Sequence, residues 1–271
     1  PLAQPKAVGR STADSVRSST RGQSFDAVWL QLFLPVPPNF SMSLPIAMGW
    51  RHLLFANWPV DPDIVAAQLP DKLTVETYDG RAWLSVVPYL NVDVRPRGLP
   101  ATMGVDLPEL NLRTYVSRDG EPGVYFFSLD AEGLFGVIGA RLFHRLPYYY
   151  ADIEIAGTDR GIAFTSERRH PGASPATFAG TYEPVGDPFV PESGSLAAFL
   201  TEHYRYYTTA RDGTLRYADI DHEPWTLRPA TVTIETNTLF EANGFDRPAG
   251  SPVCYYSRGV DITSSRNRRW R

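Results

Sequence analysis

The sequence predicts a mainly β fold of the α+β class: an antiparallel sheet, curled or closed into a cone or barrel, of about ten strands with about three short helices. Three observations predict it. From residue 50 onward, short runs rich in Val, Ile, Thr, Tyr, Phe and Trp recur between turn residues. Two Asp-Gly pairs, Asp79-Gly80 and Asp119-Gly120, mark hairpin turns that require positive φ. Helical spacing of apolar residues shows in only three short stretches.

Taken in order, "RHLLFANWPV" reads as an apolar strand closed by Pro59. "DPDIVAAQLP" is a short helix with Asp61 as N-cap, Pro62 in the first turn and Pro70 as stop. "TVETYDGRAWLSVVPYL" is a hairpin around Asp79-Gly80, and "LNLRTYVSRDGEPGVYFFSLDA" another around Arg118-Asp119-Gly120. A second helix is expected over 134–145, where Leu134, Val137, Ile138 and Leu142 form one stripe before Pro147. "YYYADIEIAGTDRGIAFTSER" is strand, turn, strand; a third helix is expected over 193–206; "LRYADID", "ATVTIETNTLF" and "PVCYYSRGVDI" are strands. Residues 264–271, "SSRNRRWR", are expected to fray. Residues 1–41 are rich in Ser, Arg and Pro without a sustained period. We expect them to be a disordered upstream extension outside the fold, leaving one domain over 42–263 that opens at Met42.

Composition narrows the function. The 271 residues are 43% hydrophobic and 21% charged, as in an ordinary globular protein. A net charge of −4 and a pI near 5.8 give no bulk basic surface for nucleic acid. No apolar run approaches the ~20 residues of a membrane span, so a cytoplasmic protein is expected. Cys254, the sole cysteine, excludes an internal disulfide and a CxxC metal site. The five histidines lack metal-ligand spacing, so neither metal nor cofactor is expected. Walker, GxGxxG, HExxH and GxSxG motifs are absent. Lys6 and Lys72 are the only lysines, which leaves almost no candidates for lysine chemistry.

The stretch "GWRHLLFANWPVDPDIVAAQLPDKLTVETYDGRAWLSVVPY" resembles the opening of the YqjF-like family, conserved proteins of unknown function. "LPELNLRTYV", "GVYFFSLDA", "ARLFHRLPYYYA", "HEPWTL" and "YYSRGVDI" follow in the family's order, so the resemblance runs from about Met48 to Ile262. That family resembles a distant branch of the acetoacetate decarboxylase-like superfamily, which implies a β-cone with a central pocket and homo-oligomeric assembly. The resemblance places Arg51 on an arginine associated with that pocket and Glu109 on a pocket glutamate. "SLD" and Arg141 fall on further motifs of the enzyme. The enzyme's adjacent lysine pair falls, within a one-residue gap, on Tyr148 and Tyr149. There one lysine forms a Schiff base and its neighbour lowers its pKa; a tyrosine has no amine to do so.

The expected site follows. Arg51 binds a ligand carboxylate, or is a strand-edge arginine paired with an acidic neighbour. Asn111, Arg113 and Tyr115 share a strand face, wet cavity or solvent, beside Glu109. Arg141 and His144 share a helix face, where an inward His144 could serve as a base. Tyr148 and Tyr149 take part in acid–base chemistry with Glu109, or are packing. The functional expectation is a pocket protein for a small anionic or carbonyl-bearing metabolite such as an oxo acid, with no Schiff-base lysine. The alternative is a non-catalytic sensor or assembly scaffold, favoured if Trp83 and Phe126 fill the cavity.

Overall fold

The computed structural model describes residues 45–133, 146–159, 161–210 and 212–271. In chain order its elements are β1 (Ile46–Val60), α1 (Pro62–Ala66), β2 (Thr74–Val75), β3 (Ala82–Pro96), β4 (Val105–Arg118), β5 (Glu121–Ala131) and β6 (Tyr148–Gly157). They continue with β7 (Ile162–Arg168), β8 (Thr177–Pro184), α2 (Leu196–Thr201), β9 (Arg205–Thr209), β10 (Leu215–Asp221), β11 (Leu227–Asn237), α3 (Leu239–Ala242), β12 (Val253–Ser264) and β13 (Arg268–Arg269).

Local chemistry sets several boundaries as the sequence predicts. Asp61 caps α1 by accepting from the Asp63 backbone N–H at 2.9 Å, with Pro62 following. Asp119 and Gly120 take φ of 52° and 83°, the two positive angles of a tight turn joining β4 to β5. Others differ. Asp79-Gly80 closes only an isolated Tyr78–Arg81 bridge, because β2 pairs with β4 and not with β3. The helix expected over 193–206 is confined to α2, where Ser195 caps the Ala198 N–H; the aromatic and β-branched run after it joins β9. The helix expected over 134–145 lies outside the described residues. Residues 264–271, expected to fray, carry β13. Arg268 and Arg269 pair with β10, and the Trp270 indole N–H donates to Asp119 at 2.9 Å.

All strands join one sheet that closes on itself twice. The ring β5-β6-β7-β8-β11-β12-β1-β3-β4 returns to β5 through the β4–β5 hairpin. A second ring leaves β5 for β9 and β10 and returns through β12, sharing β12, β1, β3, β4 and β5. The sheet is antiparallel except where β5 pairs with β6 and with β9, both parallel. Parallel neighbours require a long crossover, and long connections separate these strands in the chain.

Where β3 and β4 run between the two rings they are buried on both faces, so every residue of Ala82–Tyr89 and of Glu109–Leu112 is buried. One face of them fills the first ring with Leu54, Leu84, Val86, Leu110 and Leu112 against Ile153, Phe164 and Phe178. On the other face Trp83, Tyr115, Val124, Leu129, Tyr206 and Leu200 of α2 form a buried cluster in the second ring with half-buried Phe126 against it. Trp83 and Phe126 thus pack where the scaffold alternative puts them, while Arg113 of the same face is left half-buried. Into this second interior the sequence also sends polar side chains.

Candidate functional site

The pairing of β3 with β4 puts Tyr89 opposite Glu109, Val87 opposite Asn111 and Ser85 opposite Arg113. Side chains alternate along a strand, so Glu109, Asn111, Arg113 and Tyr115 enter the second interior while Leu110 and Leu112 enter the first. Glu109 is 3% exposed, an environment in which a carboxyl must find donors. It has three. The Tyr89 hydroxyl donates to Oε1, the Tyr148 hydroxyl to Oε2 at 2.9 Å, and the Asn91 amide to Oε2 at 3.1 Å.

Tyr148 reaches across from β6. The parallel β5–β6 pairing sets it beside Leu129, which lies opposite Asn111 on β4. Burial pushes the Glu109 carboxyl up to about 7, against the pull of Tyr89, Tyr148, Asn91 and Asn111, which favour the charged form. Burial and the neighbouring Glu109 charge push both tyrosine hydroxyls well above their ordinary range. All three groups thus hold their protons more tightly than in water. Chemically, the cluster is a carboxylic acid that titrates near neutral pH, flanked by two phenols that stay protonated.

Farther along the face, buried hydroxyls and α2 knit together. The Ser85 and Tyr115 hydroxyls lie 2.7 Å apart, and Ser85 donates to Asn57 Oδ1 at 2.6 Å. Tyr115 also donates to the Leu200 carbonyl at 2.8 Å, and Arg113 Nη2 to the same oxygen at 3.3 Å. The Trp225 indole donates to the Thr201 carbonyl at 2.9 Å. The last carbonyls of α2 therefore find donors inside the ring, as a buried helix end must. Beside them His203 hydrogen-bonds the Phe199 carbonyl at 2.6 Å, and burial pushes its imidazole down to about 4.

Of the residues that the sequence nominates, the structure brings Glu109 and Tyr148 into contact and sets Arg113 and Tyr115 on the same face. Tyr149 points into the first ring, where the Arg168 guanidinium lies 4.1 Å from its ring centre and forms a buried ion pair with Asp130. Arg51 is not part of the cluster. Trp50 faces Tyr89 at 5.9 Å between ring centres, so its neighbour Arg51 projects the other way. There Arg51 bonds Asp261 and the Val260 carbonyl, at a depression of about 440 Å³ that also touches Asp93, Asp221, His222 and Glu223. Arg141 and His144 lie outside the described residues. Lys72 is exposed, its amine 3.5 Å from the Gly213 carbonyl.

Sequence reasoning missed Tyr89, Asn91 and Tyr206, the last close enough to raise the Tyr148 pKa. The first two alternate in "PYLN", but their strand is apolar on both sides and gives no sign of which face is functional. Among the described residues no group of His, Cys, Asp and Glu is disposed to hold a metal ion.

Comparison with known proteins places these features in a family. The profile of DUF2071, described as an uncharacterized conserved protein, matches residues 47–261. The uncharacterized protein YqjF of Bacillus subtilis (strain 168) is 43% identical over 222 residues, 82% of this chain and 90% of its own. Among solved structures, the enduracididine biosynthesis enzyme MppR, complexed with the condensation product of pyruvate and imidazole 4-carboxaldehyde, matches at TM-score 0.60 and 14% identity, covering 87% of this chain and 94% of its own. Acetoacetate decarboxylase from Legionella pneumophila matches at 0.56 and 14%, covering 93% and 98%. An acetoacetate decarboxylase-like enzyme from Sphingomonas wittichii RW1 matches at 0.57 and 14%, covering 88% and 97%. At these identities the solved structures establish the fold, which is acetoacetate decarboxylase-like.

Proposed function

This chain belongs to the DUF2071 family, and from that premise and the geometry above we propose that it binds a small anionic or carbonyl-bearing metabolite in the second ring. The ligand meets Glu109 and Tyr148, and the chemistry there is acid–base, without a Schiff base. One observation carries the reading: a carboxyl 3% exposed and met by three side-chain donors, in a ring whose other polar groups line the same face. Structural carboxyls so deeply buried are ordinarily neutralised by a cation, as Asp130 is by Arg168. Glu109 is held by phenols and an amide instead, which leaves it able to take and give a proton near neutral pH.

Tyr148 stands where the resemblance puts a lysine, and with Lys72 exposed on the surface no imine can form at Glu109 among the described residues. A phenol beside a protonated carboxyl can instead polarise a carbonyl or relay a proton to it. MppR, whose structure carries a pyruvate-derived compound, supports a small oxo compound as the kind of ligand this fold accepts. Assembly into a homo-oligomer belongs to the same proposal and rests on the superfamily resemblance alone.

The test is thermal unfolding of the full chain against a panel of small oxo and hydroxy acids. A ligand at about 100 times its Kd stabilises by roughly 2.7 kcal/mol, a shift of about 5–10 °C for a domain of this size. Tyr148→Phe and Glu109→Gln should abolish the shift while remaining folded. A shift that persists in both variants would mean that the ligand binds elsewhere.

A further inference from the structure

The face of β4 that carries Glu109 continues past it, and two of its polar atoms are left over. Asn111 is 2% exposed, and its Oδ1 is buried without a hydrogen-bond partner among the described residues. The same holds for Nε of Arg113, two residues on. The guanidinium makes one long hydrogen bond, 3.3 Å to the neutral Leu200 carbonyl, and no described carboxylate pairs with it. Buried polar atoms are nearly always satisfied, and a largely enclosed arginine nearly always meets an anion. Here a spare acceptor and a spare cationic donor sit side by side on one strand face. Arg113 is half-buried as a whole residue, while its Nε is enclosed.

The guanidinium lies between Phe55 and Tyr115, whose ring centre is 5.8 Å from Cζ. Arg113 lies opposite Ser85, yet its Cζ sits 5.4 Å from the ring of Phe55, which packs with Val87 and Tyr89. Those residues belong to the rows of Asn111 and Glu109. Successive same-face rows of a strand are about 7 Å apart. A carboxylate on Arg113 therefore puts the next one or two carbons of a small acid against Asn111, with Glu109 beyond.

We propose that Asn111 and Arg113 form the carboxylate end of the Glu109 site, and that the ligand is a small hydroxylated carboxylic acid. Nε of Arg113 donates to the ligand carboxylate, and Oδ1 of Asn111 accepts from a hydroxyl on the neighbouring carbons. This rests on the reading that the second ring holds the ligand, and among small anionic ligands it selects hydroxy acids over the oxo compounds that the comparison with MppR suggests. An oxo acid offers no donor at that position, so Asn111 Oδ1 stays unpaired and the acid binds more weakly.

The experiment is isothermal titration of the full chain with matched pairs, lactate against pyruvate and 3-hydroxybutyrate against 3-oxobutyrate. The hydroxy acid of a pair should bind roughly ten-fold or more tightly. Asn111→Ala should level the pair by weakening the hydroxy acid alone. Arg113→Gln should weaken both members by ten-fold or more, and Arg113→Lys, which keeps the charge and lacks Nε, should recover only part. Circular dichroism of each variant shows that it is folded. Equal or tighter binding of the oxo acids by the native chain would overturn the Asn111 assignment. Undiminished affinity in Arg113→Gln would overturn the anchor, and no binding of any of the four acids would overturn both. The two readings fail separately. Binding that survives Tyr148→Phe and Glu109→Gln but not Arg113→Gln defeats the role of Glu109; the reverse pattern defeats the role of Arg113.

Discussion

Replacing Glu109 by glutamine should flatten the dependence of stability on pH. Burial drives this carboxyl from an ordinary 4.5 up to about 7 in the folded protein. Between those two values the folded state keeps a proton that the unfolded chain has already released. The unfolded state then binds fewer protons, so stability falls as pH rises through that window and levels off above it. The gap between the two values corresponds to about 3 kcal/mol, fully expressed by pH 8. Glutamine has no proton to lose, and its amide oxygen still accepts from one tyrosine. The variant should therefore match the native chain within about 1 kcal/mol at pH 5. At pH 8 it should exceed the native chain by as much as 3 kcal/mol, on the order of 6–12 °C in Tm. Melting both proteins by circular dichroism from pH 5 to pH 8.5 measures this. Two parallel Tm curves would refute the reasoning, since they would mean that Glu109 titrates alike in the folded and unfolded chains.

Three further outcomes rest on contacts away from Glu109. Arg168→Ala leaves Asp130, 1% exposed, as an unpaired buried charge and should cost about 3–5 kcal/mol in urea unfolding; a cost under about 1 kcal/mol would mean the carboxyl is already neutral in the native state. Trp270→Ala removes ring contacts to Tyr207 and Tyr217 and the bond to Asp119, so it should cost about 2 kcal/mol and expose β13 to hydrogen exchange; unchanged exchange would mean that the tail does not depend on this contact. Arg51→Ala breaks a pair whose Asp261 side chain is 82% exposed, and urea unfolding should change by less than about 1 kcal/mol; a larger loss would show that Arg51 braces β1 against β12.

The site was legible where alternation and resemblance spoke together. Alternation in "LNLRTY" sets Asn111, Arg113 and Tyr115 on one face, and the resemblance nominates Glu109 and Tyr148, which the structure joins. What alternation cannot say is which face is enclosed. β3 is buried on both sides, so "AWLSVVPY" has no polar phase to mark Tyr89 as a wall of the site. The adjacent tyrosines looked equivalent as a pair, but a strand sends neighbours to opposite faces, and Tyr149 ends in the first ring. A curled or closed sheet was expected from the strand pattern, but its closure into two rings was beyond local pattern. It depends on the parallel pairings β5–β6 and β5–β9, made between segments far apart in the chain.

The resemblance sets Tyr148 on a lysine of the enzyme, and a phenol there differs from an ammonium in more than the lack of an amine. An ammonium there would form an ion pair with Glu109, pulling the carboxyl down and fixing it as a carboxylate. It would also bring two charges into a ring walled by Leu129, Tyr89 and Tyr206, where desolvation of a buried pair offsets much of its attraction. A phenol asks for neither. It donates to Glu109 in both protonation states, and because it stays neutral it leaves burial free to hold the carboxyl near 7. A phenol, which has no amine for an imine, therefore leaves Glu109 held near neutral pH, and on the function proposed above that is the condition for moving a proton on a ligand's hydroxyl or carbonyl.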